Sequence, residues 1–259
     1  NLKIIQERIA KGYGIINEII SIVEEIPLGP YKLPAASKLF NSEVWHNIKD
    51  EDIEKISKID EYLLRKILGA PSKSPIETLY LETGCKPIKF IIKKRRLMHL
   101  HHILKRPKNE LIRRFYDTQK IKPSKNDWVM LIDNDKKDLE IKLSDEDIQK
   151  FSKKKFRDLL EESIRKKAFE YLLRKKYKHS KGSDIIHEKL ELQSYLKSDN
   201  VLNSEEKQLL FKFRTRMTEM KMNFKNNFSE LKCKLGCDEL DEQRHLFECD
   251  VLLSNSDIL

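Results

Sequence analysis

Apolar residues recur along most of this chain at the three- and four-residue spacing of an amphipathic helix. Ile4, Ile5, Ile9, Ile15, Ile16, Ile19, Ile20 and Val23 predict a helix over Asn1 to Ile26, softened by Gly12 and Gly14. "PLGPYKLP" ends it, because proline removes a helical donor and clashes with the preceding turn. Ile53, Ile56, Leu63, Leu64, Ile67 and Leu68 predict a second helix, closed by Gly69 and Pro71. "SPIETLYLETG" carries start signals in order: Ser74 as cap, Pro75 at the first helical position, and Glu77 completing a capping box, with Gly84 as the stop. A basic helix follows from about Pro87 to Arg106. Asn126 to Ile141 reads equally as helix or strand. Ser144 caps a further helical stretch, and a long helix runs from about Lys153 to Lys178. "HSKGSD" reads as a hinge, and a last helix starts at Ser204.

With no repeat and no low-complexity segment, these elements predict a mainly α protein, a multi-helix bundle with a small C-terminal zinc-knuckle-like segment. Its expected regions are 1–106, helical and ending in the basic helix; 107–229, a helical connector; and 230–259, the cysteine-containing segment. Only 7 glycines and 8 prolines among 259 residues agree with long helices rather than strands and turns. The sequence opens with Asn1 inside a helical pattern, so a piece of a longer polypeptide is expected.

Charge adds a partner class. Lys and Arg number 52 against 42 Asp and Glu, a net +10, which suggests a polyanionic partner without bearing on the fold. No stretch approaches the roughly 20 apolar residues of a membrane helix. No secretory leader is evident, and the few cysteines do not form a disulfide framework. An intracellular location, nucleus or cytoplasm, is the expectation.

Three of the four cysteines fall within "CKLGCDELDEQRHLFEC". Cys233 and Cys237 bracket a turn containing Gly236; His245 and Cys249, four apart, share one side of a helical turn. Three thiolates and an imidazole make a closed, four-ligand structural Zn2+ site with no open position for catalysis. The alternative is a chance cluster of cysteines buried as small hydrophobes, and two ligand pairs in one short segment favour zinc.

"KFIIKKRRLMHLHHILKR" places Phe90, Leu97, Leu100 and Leu104 on one helical face. Arg95, His99, His102 and Arg106 fall opposite, with Lys93, Lys94, Arg96 and Lys105 completing the basic set. Such a stripe suits contact with nucleic-acid phosphates; a solvated face is the alternative, disfavoured by like charges lying together with no acid among them. His99, His101 and His102 lack neighbouring acids or cysteines and read as surface or interface imidazoles rather than metal ligands. Arg214 and Arg216, with Lys212, read as further phosphate contacts or as solvated side chains. Asp133, Asp135 and Asp138 lack the glycine and terminal glutamate of a calcium loop and read as an exposed turn or helix face. Trp45 and Trp128 read as core anchors.

"IAKGYGIINEII", "NSEVWHNI", "EYLLRKILGAPSKSPIETLYLETGCKPIKFIIKKRRLMHLHHIL", "LLFKFRTRM" and the terminal "CKLGC…EQRHLFEC" together resemble the C-terminal part of a non-LTR (LINE-type) retrotransposon reverse transcriptase. The resemblance runs in order through essentially the whole chain. It implies a thumb and connector that hold template and primer, and a zinc segment that engages RNA or target DNA. It also implies upstream palm and fingers on the same polyprotein, where the polymerase carboxylates of such enzymes lie. No paired-aspartate strand-turn is present here, so this chain alone should not polymerise, although a longer chain containing it would be an RNA-directed DNA polymerase. Between "EEIPLG" and "NSEVWH" the sequence is shorter than the family pattern. The rival reading is a helical protein-interaction scaffold with zinc as a staple and no nucleic-acid role.

Overall fold

The computed structural model describes residues 42–44, 48–72, 74–124, 127–179, 187–197 and 201–254, with side chains of the long helix to 176. The helix expected over Asn1 to Ile26, the shortened segment after it, Trp45 and most of "HSKGSD" lie outside these residues. The described chain is mainly helical. Its α-helices are α1 (Asp50–Leu68), α2 (Ile76–Thr83), α3 (Ile88–Leu104), α4 (Leu111–Ile121) and α5 (Trp128–Asp138), followed by α6 (Asp145–Lys150), α7 (Lys153–His179), α8 (Ser204–Arg214) and α9 (Asp250–Ser254). Short 3-10 turns lie at Ser42–Val44, Ser194–Leu196, Lys221–Asn227 and His245–Phe247. No helix among the described residues is long and apolar enough to cross a membrane.

The basic helix, α3, is the centre of the bundle. It packs against α1, α4, α5, α6, α7 and the Ser42–Val44 turn. Ile88, Phe90, Ile92, Leu97, Leu100, Ile103 and Leu104 are buried on several sides of it, the pattern of an enclosed helix rather than a surface one. Around it α1 buries Ile59, Leu63, Leu64 and Leu68, and α7 buries Phe156, Leu160, Ile164, Ala168 and Leu172 at four-residue spacing.

Local signals explain most boundaries. Acidic Asp50, Glu51 and Asp52 open α1 and Arg65 and Lys66 close it, both favourable to the helix dipole. Gly69, at φ 58°, lets its N–H reach the Lys66 carbonyl (3.3 Å) while the Ala70 N–H reaches that of Arg65 (2.8 Å), a Schellman cap. The capping box at Ser144 forms with Asp147, and a second forms between Asn203 and Glu206. The box expected at Ser74 does not: its hydroxyl donates to the Pro71 carbonyl at 2.7 Å, and Pro75 takes the cap position without a side-chain bond.

The ambiguous segment after Asn126 is helical from Trp128. Val129, Ile132 and Asp135 are its buried positions, so its inner face includes a carboxylate where periodicity leads one to expect an apolar residue. Asp135 is therefore interior, not on an exposed face. Trp128 is partly buried against the core, as an anchor should be, and its Nε1–H donates to the Glu43 carbonyl at 2.7 Å.

Segment 187–196 straps across α2. Thr83 and Leu192 form an antiparallel bridge, and the Gln193 N–H donates to the Glu82 carbonyl at 3.1 Å. Beneath it the Glu82 carboxylate, wholly buried, accepts from His187 Nε2 (2.8 Å) and the Tyr195 hydroxyl (2.7 Å), with the Arg214 guanidinium alongside at 3.4 Å. The C-terminal segment docks on the end of α8: Gln243 donates to the Phe213 carbonyl at 2.6 Å, and the Phe213 and Phe247 rings meet edge to face at 5.8 Å.

Candidate functional site

The C-terminal cluster is built by two short devices. An antiparallel bridge between Lys232 and Leu240, with the Cys233 N–H donating to the Glu239 carbonyl at 2.8 Å, folds the first cysteine pair back on itself. Gly236 turns the chain at φ 91°, a conformation side chains with a Cβ rarely adopt. His245 begins a 3-10 turn, tighter than the helical turn expected from its spacing to Cys249, and the two still converge.

The ligand atoms of Cys233, Cys237, His245 and Cys249 all lie within 4.8 Å of one another, with Cys249, His245 and Cys233 buried and Cys237 half-buried. Cys237 Sγ is 3.8 Å from Cys249 Sγ and 2.9 Å from His245 Nε2. A tetrahedral ion with metal–sulfur bonds of about 2.3 Å requires sulfur–sulfur edges of roughly 3.8 Å, which the first distance matches. All four cysteines of the chain are free thiols. The Leu235 N–H donates to Cys233 Sγ at 3.4 Å and lowers that thiol, while burial and the neighbouring Cys233 raise the Cys237 thiol. The four side chains can hold a metal ion.

A second feature lies along α3. An open groove of about 830 Å³ runs between α3, the Ser42–Val44 turn and the beginning of α7. Lys94, Arg95, His99, His102 and Lys105, all sequence candidates, line it together with Lys153. Glu43 is the one carboxylate in that lining. His99 and His102 stack at 6.1 Å between ring centroids, and His99 also meets the edge of Trp128 at 5.7 Å. Burial holds the His99 imidazole below its ordinary range. His102 Nε2 faces the Arg106 guanidinium at 3.1 Å, which sets Arg106 at the groove's rim.

The remaining candidates sit elsewhere. Arg96 is buried and joined to Asp135. Lys93 pairs with Asp138 and lies 3.8 Å from Asp135, and Lys94 pairs with Glu161, which also takes Lys86. The acids that seemed missing beside the basic run are thus supplied by α5 and α7. Arg214 lies over the Tyr195 ring, 5.4 Å from its centroid, beside Glu82, so it belongs to the strap's buried network; Arg216 is exposed. His101 is not a surface residue: it is buried, stacked on Phe156 at 5.3 Å, with Nε2 3.0 Å from the Phe151 carbonyl.

Lys153 was missed as a groove residue. Its signal was the run Lys153–Lys155 at the start of a long helix, where cations oppose the dipole and no acid occupies the first turn. No protein-family model, curated protein or solved structure matches the chain.

Proposed function

We propose that this chain binds nucleic acid through the basic groove beside α3 and holds a structural Zn2+ with Cys233, Cys237, His245 and Cys249. The observation that carries the reading is the convergence of Lys94, Arg95, Lys105 and Lys153 on one groove, where the N-terminus of α7 adds its own positive end. Spaced cations over an open groove suit a phosphate backbone, which gives affinity without reading sequence. His99 and His102, stacked on one another, line the same groove. Three sulfurs and one ring nitrogen are the donors zinc prefers, and a filled tetrahedron makes the ion a staple rather than a catalyst. The resemblance gives this activity a setting: the template–primer or target-holding part of a non-LTR reverse transcriptase, working with a palm and fingers on the same polypeptide.

One observation favours the scaffold reading instead. Lys86, Lys93, Lys94 and Arg96 are answered by acids of the bundle itself, so part of the basic run serves cohesion. Affinity for RNA and DNA oligonucleotides across a salt series, on protein of measured zinc content with and without chelator, separates the two. Tight binding that weakens steeply with salt, at about one zinc per chain, is expected. Absence of binding at low salt would leave the scaffold reading.

A further inference from the structure

Lys89 stands half-buried in the first turn of α3 and makes no ion pair or hydrogen bond among the described residues. No acid shares that turn, and the positive end of the helix opposes an ammonium there. Its Nζ lies instead over the Tyr171 ring of α7, 3.0 Å from the centroid. Burial is the main force drawing this amine down to about 8, helped by the charges of Lys93 on the same helix and Lys175 on α7. Asp50 on α1 and Asp138 on α5 pull the other way and are outweighed. Such an amine is about half neutral at pH 8, where an ordinary lysine, at about 10.4, is neutral in less than about 1% of molecules.

Lys89 also lines a cavity of about 260 Å³ between α1, α2, α3 and α7. Ile53, Ile76 and Leu172 give this cavity apolar walls. Tyr80, in the same lining, is 2% exposed, and its buried hydroxyl has no hydrogen-bond partner, so an oxygen-bearing ligand supplies what it lacks. The carboxylates of Asp50, Glu54, Glu61 and Glu77 outnumber the ammonium groups of Lys89 and Lys175 around the cavity, which therefore disfavours anions. A neutral amine beside apolar walls is a nucleophile for carbonyl carbon, and the surrounding charge selects against carbonyl compounds that carry a carboxylate or phosphate.

We propose that Lys89 is a carbonyl-capturing amine whose cavity takes small, uncharged aldehydes. Lys89 Nζ adds to the carbonyl carbon to give a carbinolamine. Loss of water, which carries away both amine hydrogens and the carbonyl oxygen, leaves the imine with no net oxidation or reduction. The nucleic-acid reading is not needed for this. The test is labelling of the full chain at about pH 7.5 with benzaldehyde and cyanoborohydride, which reduces an imine to a stable benzylamine, mapped by mass spectrometry. Lys89 should be benzylated at least about tenfold faster than the exposed Lys58 and Lys137. That advantage should vanish in urea, where the cavity is gone. With para-carboxybenzaldehyde, the anionic analogue, it should fall at least about fivefold. Labelling of Lys89 no faster than of the exposed lysines, an advantage that survives in urea, or an equal preference for the anionic aldehyde would each overturn the proposal.

Discussion

Arg96 and Asp135 form a two-pronged ion pair inside the bundle, with Nε 2.6 Å from Oδ2 and a terminal guanidinium nitrogen 2.9 Å from Oδ1, joining α3 to α5. Both side chains are almost fully buried. Arg96→Met leaves the Asp135 carboxylate buried without its counter-ion, at an expected cost of about 3–5 kcal/mol in urea unfolding. The double variant Arg96→Met, Asp135→Leu should recover most of that loss, because no lone charge remains. A double variant as unstable as the single one would show that packing, not the charge, sets the cost.

Two glycines with similar backbones should respond differently to alanine. Gly69 and Gly84 have φ of 58° and 65°. A Cβ on Gly69 would meet the Gln208 side chain, which can move. One on Gly84 would stand 2.4 Å from the backbone of Glu191 and Leu192, which cannot move without lifting the strap. Gly69→Ala should cost about 1 kcal/mol, the ordinary penalty of the left-handed conformation. Gly84→Ala should cost distinctly more and raise hydrogen exchange at Gln193. Equal melting temperatures for the two variants would refute the close approach.

Glu82 supplies a pH signature. Burial pushes its carboxyl up, but donation from His187 and Tyr195 and the charge of Arg214 outweigh burial, so the folded value lies below the ordinary 4.5. A depressed carboxyl stabilises the fold fully above its unfolded value and loses that contribution as pH falls through the folded one. Glu82→Gln should therefore lower the urea midpoint at neutral pH, and its gap from the native protein should narrow as pH drops below 4.5. A gap that stays constant down to pH 3 would count against the network.

On the proposed reading, the Cys–Cys–His–Cys cluster should behave as a local staple. Cys237→Ser is expected to abolish stoichiometric zinc and loosen the segment around it, while far-ultraviolet circular dichroism of the bundle changes little, since the core helices pack without it. Unchanged zinc content in that variant would remove Cys237 from the ligand set.

Most helices were legible from apolar spacing, and the convergence of Cys233, Cys237, His245 and Cys249 from their spacing alone, because both are set by residues close in sequence. What escaped depends on distant partners. Nothing near "KKRR" announces that Asp135, Asp138 and Glu161 will meet its charges, so a central helix looked like a surface one. Ser74 looked like a cap because its sequence context fits one, yet the turn before it offered the Pro71 carbonyl first. Asp135 blurred the helical pattern of α5 by placing a carboxylate on its inner face, legible only once Arg96 is known to sit opposite.

The central claim is that the groove beside α3 binds a phosphate backbone. It is tested most directly by the salt dependence of oligonucleotide affinity in a groove variant, Lys105→Gln, Arg106→Gln and Lys153→Gln, against a control, Lys66→Gln, Lys137→Gln and Lys189→Gln. Both variants remove equal charge from exposed or rim positions, so only location differs. Each cation that contacts phosphate contributes roughly 0.7–0.9 to the slope of log affinity against log salt, so the groove variant should lose about 2 and the control almost nothing. Equal slopes for the two variants would contradict the claim and leave the groove's cations as a solvated surface.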